Sequence, residues 1–150
     1  MIYEDINKSH IPRLAEIYVE TYNAPPWNDK WTVSLAEQRL DEMINCRDSY
    51  GLICIDDESK IIGMIVGISE TYYNCKQFFI KDFFMIPSSQ GKGIGSALIN
   101  ELERRLKSMG VDKTYLFTSK TDKTEKYYQK RGYHSWNGMV LMGKSLNDIV

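Results

Sequence analysis

The sequence is short of the residues that would place it in several large classes of protein. Its 150 residues include only three cysteines, Cys46, Cys54 and Cys75, and two histidines, His10 and His134. An odd number of cysteines without CxxC spacing offers neither a disulfide framework nor a zinc site. The expectation is reduced thiols in a cytoplasmic protein that holds no metal, with no role for either histidine. No apolar run approaches the ~20 residues that a membrane-spanning helix requires, so no membrane association is expected. The opening residues MIYEDINKSH lack a basic stretch followed by an apolar one, and no secretory signal is expected there. Prolines number four. No Pro- or Ser-rich linker, repeat or low-complexity tract breaks the chain, which predicts one domain over 1–150. The net charge of −1 is too small for a nucleic-acid-binding surface.

What is present is a chain that can fold around a core: 43% of residues are hydrophobic and 26% charged. The charges are unevenly placed. Residues 1–89 hold 8 basic and 14 acidic side chains, and residues 90–131 hold 10 and 5. This split suits a polyanionic ligand on the basic part and a cationic one on the acidic part, or two ordinary solvated faces.

Hydrophobic periodicity predicts a strand at 2–7 and a helix over 10–22, with Ser9 as its cap. It predicts a second helix over 32–46, capped by Thr32. Strands follow in YGLICID and IIGMIVGISE, joined by the short polar turn DESK as an antiparallel hairpin. QFFIKDFFMIP is a third central strand. A helix over 94–109 ends at Gly110, TYLFTS is a strand, DKTEKYYQKR a helix ended by Gly132, and GMVLMGKSL a last strand. The fold class is α/β (α+β): a mixed, mostly antiparallel sheet of six to seven strands flanked by about four helices. A crossover helix joins the strand 78–87 to the strand 114–119 in parallel.

The segment MIPSSQGKGIGSAL places three glycines, Gly91, Gly93 and Gly95, where a helix begins. Glycine costs about 1 kcal/mol against alanine inside a helix. A helix N-terminus exposes unpaired N–H groups and partial positive charge. Glycines let a phosphate approach those groups closely. A tight strand-to-helix turn explains one glycine more readily than three. A Walker A string is absent. The dinucleotide pattern GxGxxG meets Ser96 at its last position, and the chain is short for two nucleotide-binding halves. A third pattern, Gln/Arg-x-x-Gly-x-Gly/Ala, is present as Gln90-Gly91-Lys92-Gly93-Ile94-Gly95.

That hexapeptide follows a strand and opens an amphipathic helix. Further on, YYQKRGY has the form F-Y-x-x-x-G-F with conservative changes. On these residues, and on the order of elements along the chain, the sequence resembles the GNAT superfamily of acetyl-CoA-dependent N-acetyltransferases. The resemblance implies that the backbone of Gln90, Gly91, Lys92, Gly93, Ile94, Gly95 and Ser96 binds the pyrophosphate of acetyl-CoA. It implies that Met85 and Ile86, at the end of the preceding strand, lie along the pantetheine arm, with the Met85 amide polarising the thioester carbonyl. It also implies that Tyr128 protonates the departing thiolate, while Tyr127 packs. Thr121 and Thr124 depart from the residues common at their positions in the family. Many relatives dimerise, so a homodimer is implied as well. The lysines and arginine at 120–131 either approach the adenosine 3′-phosphate or form a solvated face.

An amine attacks a thioester only when neutral, so a base is needed. Asp82, in mid-strand among aromatics, is the candidate, directly or through water; Glu70 is a second. The stretch YNAPPWNDKWT resembles a segment of aminoglycoside 6′-N-acetyltransferase-like members. Trp27 and Trp31 there, with Tyr72 and Tyr73 between central strands, are candidates for the wall of an acceptor pocket. Such aromatics beside acidic groups suit a small cationic amine, an amino sugar or a polyamine. The expected activity is acetyl transfer to that amine by direct attack in a ternary complex. The alternatives are a non-catalytic acyl-CoA sensor and a protein or peptide N-acetyltransferase.

Overall fold

Strands buried on both faces need a layer on each side. β2 (Ser49–Ile55) buries Leu52, Ile53 and Cys54 in succession, and β3 (Ile61–Thr71) is buried without a break from 62 to 67. A computed structural model describes every residue except Asp122, Asp148 and Val150. Its contacts divide the chain into two units, Met1–Phe117 and Thr118–Val150.

The first unit holds a five-stranded sheet in the order β1 (Ile2–Asp5), β2, β3, β4 (Lys76–Met85) and β5 (Lys113–Tyr115). All neighbours are antiparallel except β4 and β5, which are parallel. The crossover between those two is the helix α3 (Ile94–Ser108). On one face, α1 (Ile11–Tyr22) and α2 (Val33–Ile44) bury Leu14, Ile17, Leu40 and Met43 against Ile53, Met64, Val66 and Phe84. Each such side chain contributes roughly 1.5–3 kcal/mol on leaving water. α3 packs on β2, β3 and β4 and buries Leu98, Ile99, Leu102 and Leu106.

Local chemistry sets the helix starts. The Thr32 hydroxyl accepts from the Leu35 amide at 3.1 Å, as expected of its cap position. The start of α1 differs from expectation. A 3-10 turn, Lys8–His10, precedes it, capped by Asn7 instead of Ser9. The His10 Nδ1 atom accepts from the Asn7 amide at 3.1 Å, so His10 closes a capping box.

One irregularity in β4 decides what the sheet presents. Gly67 lies opposite Ile80, yet its neighbour Val66 lies opposite Asp82. Lys81 is therefore an extra residue, a β-bulge. Upstream of it, Phe78 and Ile80 share the face of Gly67. Downstream, Asp82 and Phe84 share the face of Val66 and Met64. A regular strand would have put Asp82 on the same face as Phe78 and Ile80. Gly67 is required for close packing, since a Cβ there would fall on the Phe79 carbonyl oxygen and 2.6 Å from the Phe78 ring.

In the second unit, α4 (Thr124–Gln129) is shorter than predicted; Asp122, placed at its start by the sequence, lies outside the described residues. Residues 138–146 carry no strand, and the described sheet therefore has five strands, not six or seven. The run GMVLM has no polar–apolar alternation to select a register. Met139, Val140, Leu141 and Met142 are all exposed. β5 is likewise three residues long where TYLFTS was expected. Among the described residues no helix is long and apolar enough to cross a membrane, and no cluster of ligands for a metal is found.

Candidate active site

The bulge turns Asp82 toward α1. The i, i+4 spacing of Tyr18 and Tyr22 puts both phenols on one helix face. The Tyr22 hydroxyl donates to Asp82 Oδ1 at 2.6 Å and the Tyr18 hydroxyl to Oδ2 at 2.9 Å. Arg39 of α2 brings its Nε atom to 3.7 Å from Oδ2. Only 10% of the Asp82 side chain is exposed. Burial raises its pKa above the ordinary carboxylate range, opposed by the two phenols and by Arg39. Burial, and then the Asp82 charge, raises the Tyr18 pKa, so that phenol stays protonated.

An aromatic layer surrounds this carboxylate. Tyr18 and Tyr22 lie 4.6 Å apart, Trp31 meets Tyr18 edge-on at 5.0 Å, and Trp27 meets Tyr22 at 5.2 Å. Trp31 also donates from its indole nitrogen to Asp29 at 3.1 Å. Trp27 is 44% exposed and borders solvent. Tyr72 and Tyr73 belong to the turn after β3 and not to this layer; Tyr73 is almost fully exposed.

Met85 ends β4. The Ile86 amide donates to Ile62 O at 2.8 Å, so strand alternation directs the Met85 N–H away from β3. On that side the pairing of β4 with β5 stops at Phe79 and Tyr115. The Met85 carbonyl accepts from Gln90 Nε2 at 2.9 Å. Gln90 thus ties the start of the glycine loop to the end of the strand, a contact that the spacing alone did not reveal.

The glycines divide into two kinds. Gly91 and Gly93 adopt φ of 76° and 77°, in the left-handed region, so the turn itself demands glycine at both. Gly95 lies inside the first turn of α3 without a positive φ, and the turn does not account for it. A Cβ on Gly91 or Gly93 would meet no atom within 4 Å, so the loop bounds open space. Gly93, at the cap position of α3, has no side chain with which to cap it. An open loop of glycines leading to a helix N-terminus fits a diphosphate. Lys92 beside it is exposed, and Ile94 and Ser96 lie half-buried in the first helical turn.

Asp82, Met85, Ile86 and residues 90–96 all belong to the first unit, and Tyr128 to the second. Within that unit, Tyr128 is flanked by Tyr127 and Tyr133, at 5.1 and 5.7 Å between ring centroids. Burial pushes its phenol up to about 12. Lys120, Lys123, Lys126 and Lys130 are exposed, as a solvated face requires. The three cysteines are free, and burial raises the Cys54 thiol to about 11, so it is protonated and inert.

The tyrosine partners of Asp82 were the main omission of sequence reasoning. A signal existed: two tyrosines on the buried face of an amphipathic helix need hydrogen-bond acceptors for their hydroxyls.

A mixed sheet with a parallel crossover, opening at the β4 end beside a glycine-rich helix start, defines an acyl-coenzyme A transferase type of architecture. Residues 11–133 match the model of the acetyltransferase (GNAT) family, and the chain belongs to that family. It is 28% identical over 125 residues to YdgE of Bacillus subtilis (strain 168), described as an uncharacterized N-acetyltransferase; the match covers 80% of this chain and 78% of YdgE. A crystal structure of a probable acetyltransferase superposes with a TM-score of 0.82 at 12% identity, covering 99% of each chain. An aminoglycoside acetyltransferase, meta-AAC0020, from an uncultured soil metagenomic sample and solved in complex with sisomicin, gives 0.73 at 15% identity, covering 97% of this chain and 96% of that one. The protein is an acetyl-CoA-dependent acetyltransferase of the GNAT family.

Proposed function

We propose that the protein transfers an acetyl group to a primary amine of a small cationic acceptor, by direct attack in a ternary complex. The observation that carries this is the Asp82 cluster, a buried carboxylate held by two phenols and an arginine three residues before the strand-end amide of Met85. The acidic balance of residues 1–89 supports a cationic acceptor. The likeness in fold to an aminoglycoside acetyltransferase is consistent with it.

Acetyl-CoA supplies a thioester whose carbonyl carbon is the electrophile. The main-chain donors of residues 91–96 hold its diphosphate. The Met85 N–H donates to the carbonyl oxygen as charge develops there. The acceptor ammonium must lose a proton before attack. Both Asp82 oxygens already accept phenol protons, so the proton passes through the Tyr22 or Tyr18 hydroxyl, or a bound water, onto Asp82. Tyr128, protonated at neutral pH, donates to the departing sulfur.

The test is release of free thiol from acetyl-CoA with a panel of alkylamines, polyamines, aminoglycosides including sisomicin, and peptides. Turnover confined to small cationic amines is the expected result. Turnover on peptides alone overturns the acceptor class. Binding of acetyl-CoA with no acceleration on any amine overturns the enzyme reading in favour of a sensor.

A further inference from the structure

We propose that Glu70, with the stacked rings of Phe79 and Tyr115, forms a second cation subsite on the same sheet face as Asp82, where it holds an ammonium group of the acceptor remote from the one that is acetylated. This rests on the reading that the reacting amine meets Asp82.

The sheet register lays the site out. Val66 lies opposite Asp82 and Ile68 opposite Phe79, while Phe79 is in parallel register with Tyr115. Val66, Ile68 and Glu70 share one face of β3 by strand alternation. The bulge at Lys81 brings Phe79 and Asp82 onto that same face. From Val66 to Glu70 is four strand positions, about 13 Å at about 3.3 Å per residue. Two carboxylates therefore stand on one surface with aromatic rings between them.

The two carboxylates differ in what balances them. Asp82 has Arg39 beside it. Glu70 is half-buried and accepts from the Tyr115 hydroxyl at 2.6 Å, but among the described residues it makes no salt bridge. A phenol orients a carboxylate without cancelling its charge. Burial and the Glu70 carboxylate both raise the Tyr115 pKa, so the phenol keeps its proton and serves Glu70 as a hydrogen-bond donor.

The neighbouring rings favour an organic cation. Phe79 and Tyr115 stack at 4.8 Å with 6° between their planes. Phe117, 61% exposed, stands edge-on to Phe79 at 5.2 Å. One carboxylate beside ring faces is a poor cage for a hard metal ion, which needs several oxygens. It suits an alkylammonium, whose methylenes lie along the rings while the charge meets Glu70. The acceptor class this selects is a linear or branched polycation, not a monoamine.

The test compares kcat and KM for hexylamine with those for spermidine and an aminoglycoside, in wild type, Glu70→Gln and Phe117→Ala, with thermal melts to establish folding. The wild type should prefer the polycations. Glu70→Gln should erase that preference about tenfold or more, the size of one charge-assisted contact, through KM and not kcat. Phe117→Ala, at an exposed position, should reduce it in the same direction and keeps the test open if Glu70→Gln fails to fold. Equal effects on mono- and polyamines, or none, overturn the subsite. If no amine turns over, calorimetry with spermidine still decides it. Binding lost in Glu70→Gln supports the subsite, and no binding to wild type refutes it.

Discussion

Replacing Gly95 with alanine should make the protein more stable and a poorer binder of coenzyme A. Gly95 lies in the first turn of α3 with no positive φ, so alanine fits the backbone. The gain is about 0.5–1 kcal/mol, because alanine loses less conformational freedom on entering a helix. For a chain of this length each kcal/mol moves the melting temperature by roughly 2–4 °C, so a rise of about 1–4 °C is expected. Gly93→Ala should move stability the other way. Its φ of 77° lies in the left-handed region, which costs an ordinary L-residue about 1–2 kcal/mol. That cost is conformational alone, since its Cβ would meet nothing within 4 Å. Affinity should fall in both variants, because either methyl group crowds the main-chain donors. Losing one hydrogen bond to a charged oxygen costs about 1.5–3 kcal/mol, or roughly ten- to a hundredfold in Kd. Thermal melts without ligand and calorimetric titration with coenzyme A read the two effects separately. If Gly95→Ala melts higher and binds coenzyme A as tightly as wild type, the argument that the loop holds a diphosphate is refuted.

Tyr128→Phe should lower kcat by about 10²-fold, the usual lower range for a general acid, with coenzyme A affinity kept; an unchanged kcat removes Tyr128 from the chemistry. Activity should fall as pH drops through a carboxylate ionisation lying above the ordinary aspartate value, and Asp82→Asn should abolish that limb in a pH–rate profile. Stability should show the opposite slope. The folded-state pKa of Asp82 is raised, so its contribution is full below the unfolded value and is lost as pH rises through the folded one; the Asn variant should lack that decline in denaturant melts. Gly67→Ala should cost about 3 kcal/mol or more by overpacking β3 against the Phe79 carbonyl, seen as a lower midpoint in urea.

Much of the fold was legible because it rests on local signals. The helix over 94–109 is observed as Ile94–Ser108, and that over 32–46 as Val33–Ile44 with its Thr32 cap. Periodicity and caps act within one or two turns, and a single sequence displays them in full. The glycine loop was legible for the same reason. The bulge was not, because FFIKDFFM is apolar on both sides of Lys81 and no alternation marks where one residue is left over. The Asp82 cluster was not, because its partners come from residues about 60 positions away. The contact of Tyr115 with Glu70 spans 45 residues and depends on the crossover that sets β5 beside β4. The strand expected at 138–146 failed for want of a pattern to fix its pairing.

Lys81 makes β4 a strand with two allegiances. Its first half answers to the layer holding α3, and its second half to the layer holding α1 and α2. Drawing that residue into the regular ladder opposite Val66 would turn everything beyond it over together: Asp82 would enter an oily layer without a donor, and Phe83 would face the phenols in its stead. Deleting Lys81 outright would straighten the strand and leave the acid opposite Val66, so it is the bulged pairing, and not the identity of Lys81, that lets a strand of this length keep the acid on the face where its partners wait.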